Sequence, residues 1–283
     1  MNRRRRSVLY LPGSSQRMMS KAGARGADVL VLDLEDGVHP DSKASARDQV
    51  RQALDKFDWG DSEIFIRANG LDTAWGEEDV DMIAQARPQG AILPKAESSK
   101  TVASVVGALG PSVPLFLMIE TATGVLEARA LARMHNVGGL LFGAADYRKN
   151  MRAGPLPDES ELLFARGQVL HAARAAGIEA FDTPWFEYKD LRGLEASAHR
   201  ARQMGFDGKS AIHPSQVPVI NRVFSPTAEE MTRARRIIEV MRRAMAEGKN
   251  VATLDDEMVE ALHVEEARRV LRRSRKLPKD ESG

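Results

Sequence analysis

The chain of 283 residues contains no cysteine. That absence excludes disulfides, thiolate zinc sites and a cysteine nucleophile together, and it fits a reducing compartment. Charge of one sign is missing too: 41 lysines and arginines face 40 aspartates and glutamates, for a formal net charge of +1. Such a balance gives no reason to expect nucleic acid or an anionic membrane as a partner. No apolar run approaches the roughly 18 residues of a membrane helix, and no apolar signal core follows Met1. The expectation is a cytoplasmic protein that binds neither membrane nor nucleic acid. Two familiar signatures also fail. Gly208-Lys209-Ser210 looks like the end of a phosphate loop, but Gln203 stands where that motif needs glycine, and the strand follows the segment instead of preceding it. No Gly-x-Gly-x-x-Gly follows a strand, and no His-Glu-x-x-His occurs. Ser210 has no evident base, and His213 reads equally as a chemical group or as a loop anchor beside Pro214.

What is present is an alternation. Hydrophobic residues make up 43% of the chain, enough for a full core. Short apolar runs are followed by longer stretches of helical period, eight times over. The strand-like runs are Ser7–Leu11, Val29–Leu34, Glu63–Ala68, Ala91–Pro94, Leu115–Ile119, Gly139–Gly143, Glu179–Asp182 and Ser210–Ile212. Several are apolar on both faces, as parallel strands covered on both sides must be. Amphipathic stretches such as Ala44–Phe57, Glu78–Ala86, Ser160–Ala176 and Leu191–Met204 lie between them. Eight such units with right-handed crossovers close into a (β/α)8 barrel, a fold of about 250 residues, over residues 1–226. An open doubly wound sheet is the alternative. Residues 227–283 form a helical extension: one helix from about Thr227 with an apolar stripe Met231, Ala234, Ile238, Met241 and Met245, and a second over about Asp256–Ser274. The tail Lys276–Gly283 reads as disordered. The extension suits a lid or an oligomer contact.

Nearly every strand ends in a polar cluster, and barrel active sites sit at the carboxyl ends of the strands. Clusters distant in sequence therefore form one ring. Its carboxylates are Glu35, Asp36, Glu120, Asp146 and Asp182, balanced by Arg67, Lys95 and perhaps Lys209. Oxygen ligands without cysteine or a histidine pair favour magnesium, or manganese, over zinc. Glu120 and Asp146 are the best ligand candidates, because each follows a fully apolar strand. A structural ion-pair ring with Arg67 and Lys95 is the plainer reading, and Asp182 stands between a supporting role and a structural cap. The basic start, Arg3 to Arg6, reads as a solvated terminus whose last members could reach an anionic ligand.

The segments Arg6-Ser7-Val8-Leu9-Tyr10-Leu11-Pro12-Gly13, Leu32-Asp33-Leu34-Glu35-Asp36-Gly37-Val38, Arg67-Ala68-Asn69-Gly70, Pro94-Lys95, Ile119-Glu120-Thr121, Phe142-Gly143-Ala144-Ala145-Asp146-Tyr147 and Gly208-Lys209-Ser210-Ala211-Ile212-His213-Pro214 resemble the HpcH/HpaI aldolase superfamily, in particular its citrate lyase β-subunit-like branch. They run in order over about residues 6–226. The resemblance implies magnesium-dependent aldol or Claisen chemistry on acyl-CoA substrates of the citryl-, malyl- or citramalyl-CoA type, with coenzyme A as part of the substrate. It makes Glu120 and Asp146 the metal ligands and Arg67 the residue that grips the reacting oxygens. The backbone amides of Gly143, Ala144 and Ala145, up to Asp146, become the turn for a substrate carboxylate, with Lys95 beside it. Arg6, Arg17 and Lys21 fall where such enzymes meet the CoA phosphates. The family's base comes from a C-terminal segment, often of a neighbouring subunit, so a homotrimer or higher homo-oligomer is expected. Here that segment reads Leu254-Asp255-Asp256-Glu257-Met258-Val259-Glu260, with Glu260 in place of the aspartate. Glu35 or Asp36 is the alternative base. Three activities fit: a carbon–carbon lyase on a CoA thioester, a thioesterase on the same barrel, or an aldolase on a free 2-keto acid. A silent binding subunit would not need so full a carboxylate ring.

Overall fold

The computed structural model describes residues 4–274. The first half alternates β1 (Ser7–Pro12), α1 (Gln16–Met19), β2 (Val29–Asp33), α2 (Lys43–Lys56), β3 (Glu63–Arg67), α3 (Gly76–Ala86), β4 (Gly90–Leu93) and α4 (Ser99–Leu109). The second half continues with β5 (Leu115–Ile119), α5 (Ala122–Ala132), β6 (Val137–Phe142), α6 (Ala144–Met151), α7 (Leu163–Ala176), β7 (Glu179–Asp182), α8 (Leu191–Met204), β8 (Gly208–Ala211) and α9 (Val217–Phe224). The eight strands are parallel, lie in sequence order, and close when β8 pairs with β1. Closure excludes the open sheet.

Strand period explains what fills the barrel. Side chains alternate between faces, so residues two apart share one. Val8, Val31, Phe65, Ile92, Phe116, Met118, Leu141 and Phe181 cluster as the apolar interior. The Phe65 and Phe116 rings lie 4.5 Å apart. Each large apolar side chain so buried stabilises the fold by about 1.5–3 kcal/mol. Below this layer, at the amino ends of the strands, the Arg5 guanidinium lies 5.5 Å from the Phe65 ring centroid and 5.3 Å from that of Phe116. Glu63 at 2.6 Å and Glu179 at 2.5 Å accept its hydrogen bonds.

Two residues further along each strand, on the same interior face, stand Tyr10, Asp33, Arg67 and Glu120. These are the polar layer at the carboxyl ends. The same parity sends Asp182, one residue past Phe181, to the outer face. There it meets Arg166 of α7 at 2.8 Å and Lys209 of β8 at 2.5 Å, all three fully buried. Asp182 and Lys209 therefore belong to a structural network, which Glu159 completes through Arg166, Arg200 and the Ser197 hydroxyl.

Residues 5–222 form one compact unit, and the chain from Val223 onward belongs to another. Within the second unit, α10 (Ala228–Ala246) starts at Thr227, whose side chain accepts from the Glu230 N–H while Glu230 accepts from the Thr227 N–H. The buried stripe is rotated from the one expected. Met241 packs with Ile237 and Val240, Ala234 and Ala244 are buried, and Met245 is exposed. The second expected helix is shorter. Asp255 and Asp256 both take positive φ, 51° and 63°, and turn a hairpin of β9 (Ala252–Leu254) onto β10 (Glu257–Val259). Aspartate is one of the few non-glycine residues that tolerate this backbone, and two in a row suit a two-residue hairpin turn. Only then does α11 (Ala261–Ser274) begin. Arg3 and the tail Lys276–Gly283, the latter expected to be disordered, lie outside the described residues.

Candidate active site

A cavity of about 320 Å³ opens at the carboxyl ends of the strands. Tyr10, Asp33, Asp36, Arg67, Glu120, Asp146, Thr183 and the Gly143–Ala145 turn all line it. These residues come from β1, β2, β3, β5, β6 and β7, or from the loops that follow them.

Asp33 and Arg67 occupy paired register positions on β2 and β3, so their side chains leave neighbouring strands side by side. The guanidinium makes a forked contact, Nε to Oδ1 and Nη2 to Oδ2, each at 2.7 Å. The backbone N–H groups of Glu35 and Gly37 donate to the same carboxylate at 2.9 Å. A Cβ at residue 37 would lie 2.6 Å from Asp33 Oδ2, so glycine is required there. Burial pushes the Asp33 carboxyl up, but Arg67 and the two amides outweigh it and hold it below the ordinary range. Arg67 thus commits one edge of its fork to Asp33. Nη1 is left towards the cavity, 2.5 Å from Glu35 Oε2 and 3.7 Å from Asp36 Oδ2. The guanidinium carbon lies 5.1 Å from the centroid of the Tyr10 ring.

Lys95 bridges the ring. Its Nζ donates to Glu35 Oε1 at 2.7 Å and lies 3.6 Å from Asp146 Oδ2. Its backbone N–H donates to Glu120 Oε1 at 2.8 Å, from a backbone with φ of 47°. That conformation disfavours an L side chain, and it persists here because both ends of Lys95 are tied down. Glu35 is correspondingly held by two cations. Burial, with Asp36 adding, still raises its carboxyl against the pull of Arg67 and Lys95.

Glu120 is 3% exposed. Burial and the neighbouring Glu35 charge push its carboxyl up to about 8, with the Lys95 amide and ammonium opposing. A Cβ at residue 143 would come within 2.5 Å of Glu120 Oε2, so Gly143 leaves that oxygen its room. A buried carboxylate this poorly compensated, with Asp146 across the same cavity, fits a divalent cation. Both donors are hard oxygens, which suits magnesium or manganese. Among the described residues no third aspartate, glutamate or histidine joins them as a cage. Ligand oxygens and waters would fill the other positions, as magnesium prefers.

Thr121 caps α5 immediately after Glu120, accepting from the Gly124 N–H, and so fixes where β5 ends. The turn before α6 is narrower as an anion cradle than its sequence implies. The Gly143 N–H donates to Ile119 O and the Ala144 N–H to the Thr183 hydroxyl. Ala145 and Asp146 follow as first-turn amides with no acceptor inside the helix.

The structure does not bring Arg6 to this cavity. It precedes β1 at the amino ends of the strands, where Asp28 accepts from its Nε at 2.7 Å and from its backbone N–H. The length of β1 separates it from the cavity, whose lining does not include it, so the expected contact of Arg6 with CoA is withdrawn. Arg17 and Lys21 are exposed in the segment between β1 and β2, and neither lines the cavity. His213 is a loop anchor: its Nδ1 lies 2.8 Å from the Ser215 hydroxyl and accepts from the Ser215 N–H, and its ring stacks on Tyr188. Glu260 belongs to the C-terminal unit, just before α11, where its N–H donates to His263 Nδ1. Sequence reasoning gave no role to Asp33, Tyr10 or Thr183. Their signal was strand parity, counted from Val31, Val8 and Phe181.

A closed parallel α/β barrel with a buried guanidinium and carboxylates around a cavity at the carboxyl ends of its strands defines a class: the (β/α)8-barrel enzymes. The chain belongs to the HpcH/HpaI aldolase/citrate lyase family, whose model matches residues 6–214; a model of carbon–carbon bond lyases of the TIM-barrel fold matches residues 163–277. It is 40% identical to a (3S)-malyl-CoA thioesterase of Cereibacter sphaeroides, over 94% of this chain and 93% of that one. It is 35% identical to the citrate lyase subunit beta of Escherichia coli, over 96% and 94%. The solved structure of CitE from Mycobacterium tuberculosis in complex with magnesium, acetoacetate and coenzyme A superposes with a TM-score of 0.82 at 28% identity, covering 95% of this chain and 97% of that one.

Proposed function

We propose that this protein is a magnesium-dependent carbon–carbon lyase acting on a 3-hydroxyacyl-CoA thioester that carries a second carboxylate, of the malyl-, citramalyl- or citryl-CoA type. The observation that carries this reading is that one cavity is lined by Arg67, by the buried and poorly compensated Glu120 carboxyl and by Asp146. Glu120 and Asp146 would hold the ion, which when bound supplies Lewis-acid polarisation of the hydroxy-acid end. The Ala145 and Asp146 amides receive the free carboxylate of that end. Arg67 faces the thioester oxygen. As the carbon–carbon bond breaks, its electron pair becomes the enolate of the CoA-bearing fragment, and the positive charge of Arg67 is already in place, aligned by Asp33. The base that removes the hydroxyl proton is Glu260, delivered from a neighbouring subunit of a homotrimer or larger homo-oligomer. Asp36, a cavity residue with an exposed carboxylate, is the alternative. It displaces Glu35, which two cations hold. Arg17 and Lys21 meet the CoA phosphates.

Hydrolysis of the thioester is the second reading. The full-length identity to proteins named (3S)-malyl-CoA thioesterase supports it. One assay separates the two: the three thioesters are offered with magnesium and the products identified. Acetyl-CoA with a 2-keto acid supports the lyase. Free CoA with the hydroxy acid replaces it by the thioesterase, and turnover of a free keto-acid aldol without CoA replaces both.

A further inference from the structure

The Tyr10 hydroxyl is buried and has no hydrogen-bond partner among the described residues. It is not a group lost in the hydrophobic core. Its ring stands on top of the apolar interior, forms part of the cavity wall, and supports the Arg67 guanidinium from below. The charges nearest the phenol are those of Arg67, Asp33, Glu120 and Glu35, the members of the site itself. Asp33 accepts from Arg67 and from two backbone amides, Glu120 accepts through Oε1 from the Lys95 backbone N–H, and among the described residues none accepts from the phenol. A buried hydroxyl without a partner destabilises a fold, and phenylalanine would fill the same space without that cost. A tyrosine here is explained when its O–H points at something the ligand brings.

We propose that Tyr10 is a substrate-contacting residue, whose hydroxyl donates a hydrogen bond to the same ligand oxygen that Arg67 Nη1 faces. The two donors form an oxyanion site for the thioester oxygen as it becomes an enolate oxygen. One is cationic and one neutral, and both are fixed before substrate arrives, Arg67 by Asp33 and Tyr10 by its place on β1. Preorganised donors of this kind act where charge develops and need no rearrangement during the reaction. The assignment rests on the functional reading above only in naming the oxygen; it requires an anionic ligand in this cavity under either lyase or thioesterase chemistry.

Tyr10→Phe removes the hydroxyl and keeps the ring beneath Arg67, so it separates hydrogen bonding from the stacking contact. Three quantities are read beside wild type: the thermal midpoint, kcat and KM on whichever thioester the wild type turns over, and calorimetric affinity for oxalate with magnesium. Oxalate is the probe for the magnesium and keto-acid half of the site, which the substitution leaves in place. The expected result is an unchanged or raised midpoint, kcat lower by about 10- to 100-fold with KM little changed, and oxalate bound as in wild type. Unchanged kcat in Tyr10→Phe overturns the proposal while leaving the functional reading intact. A midpoint that falls along with activity also overturns it, by making the hydroxyl structural. A wild-type protein that neither binds oxalate nor turns over any thioester takes the functional reading down with it. Tyr10→Leu, which also removes the ring, is expected to lose more activity than Tyr10→Phe; equal loss would assign the whole effect to the ring and overturn the hydroxyl's role.

Discussion

Arg67 has spent the geometry that makes arginine special on another residue of the protein. Its forked edge is closed by Asp33, and Nη1, paired with Glu35 at 2.5 Å, is the edge left towards the cavity. Lysine cannot reproduce a fork and would leave Asp33 buried beside a single misplaced ammonium. Arg67→Lys is therefore expected to lose roughly 10²-fold in kcat. Asp33→Asn should lose a similar factor although Asp33 lies behind the guanidinium, and its loss should appear in kcat more than in KM. Steady-state kinetics of both variants check this, and a near-wild-type rate in either would separate the pair from the chemistry. The carboxylates make a different demand. Glu120→Gln and Asp146→Asn each remove one of two anionic donors, so both should abolish magnesium binding by calorimetry and turnover with it, while circular dichroism stays native. Glu120→Gln should even raise the thermal midpoint of the metal-free protein near neutral pH, because it replaces a carboxyl that burial holds at about 8 by a group that never ionises. Neutralising Arg17 or Lys21, the residues proposed to meet the CoA phosphates, should raise KM for the thioester more than it lowers kcat.

At the scale of strands and helices, the eightfold alternation was legible because burial on both faces writes near-continuous apolar runs. The polar layer was legible because it follows those runs directly. Which polar residue faces the site was harder. Phe181 and Asp182 are adjacent, yet one fills the barrel and the other faces the helices, and only a count by twos from the apolar interior tells them apart. The expected helix starts too early, at about Asp256, because the hairpin strands are three residues each and carry no alternation long enough to register. Arg6 misled for a third reason: its place in a motif does not say which end of the strand it marks. The outward network around Asp182 now makes its own forecast. Burial pushes the Glu159 carboxyl up, but Arg166, Lys209 and Arg200 outweigh it and hold the group at about 2. Its folded value lies below the unfolded 4.5. The stabilisation is thus complete above about pH 4.5 and is lost as pH falls towards 2. Glu159→Gln should cost about 3 kcal/mol at pH 7 by leaving buried guanidinium groups uncompensated. That difference from wild type should shrink on titration through this window in urea denaturation, and a pH-independent difference would take the charge out of the explanation.

Over the whole molecule, the two compact units divide the work proposed for the site, the barrel holding the ligand and the C-terminal unit supplying Glu260. Glu260→Gln is expected to lose at least 10²-fold in kcat while binding magnesium and oxalate as wild type does. Sedimentation should show an oligomer, since the base is assigned to a neighbour. Full activity in Glu260→Gln would transfer the role to Asp36. The barrel itself carries a further consequence at its amino end. Arg5, with Glu63 and Glu179, lies across the Phe65 and Phe116 rings beneath a filled interior. A vessel stoppered at the bottom is served by one mouth, and traffic through it is last in, first out. Under the proposed function, the acid end of the thioester enters ahead of its nucleotide handle, so after cleavage the handle-bearing fragment stands nearer the exit and the keto acid waits behind it. Initial-rate measurements should then show the keto acid competing directly with the thioester and acetyl-CoA inhibiting noncompetitively, the pattern of an ordered release.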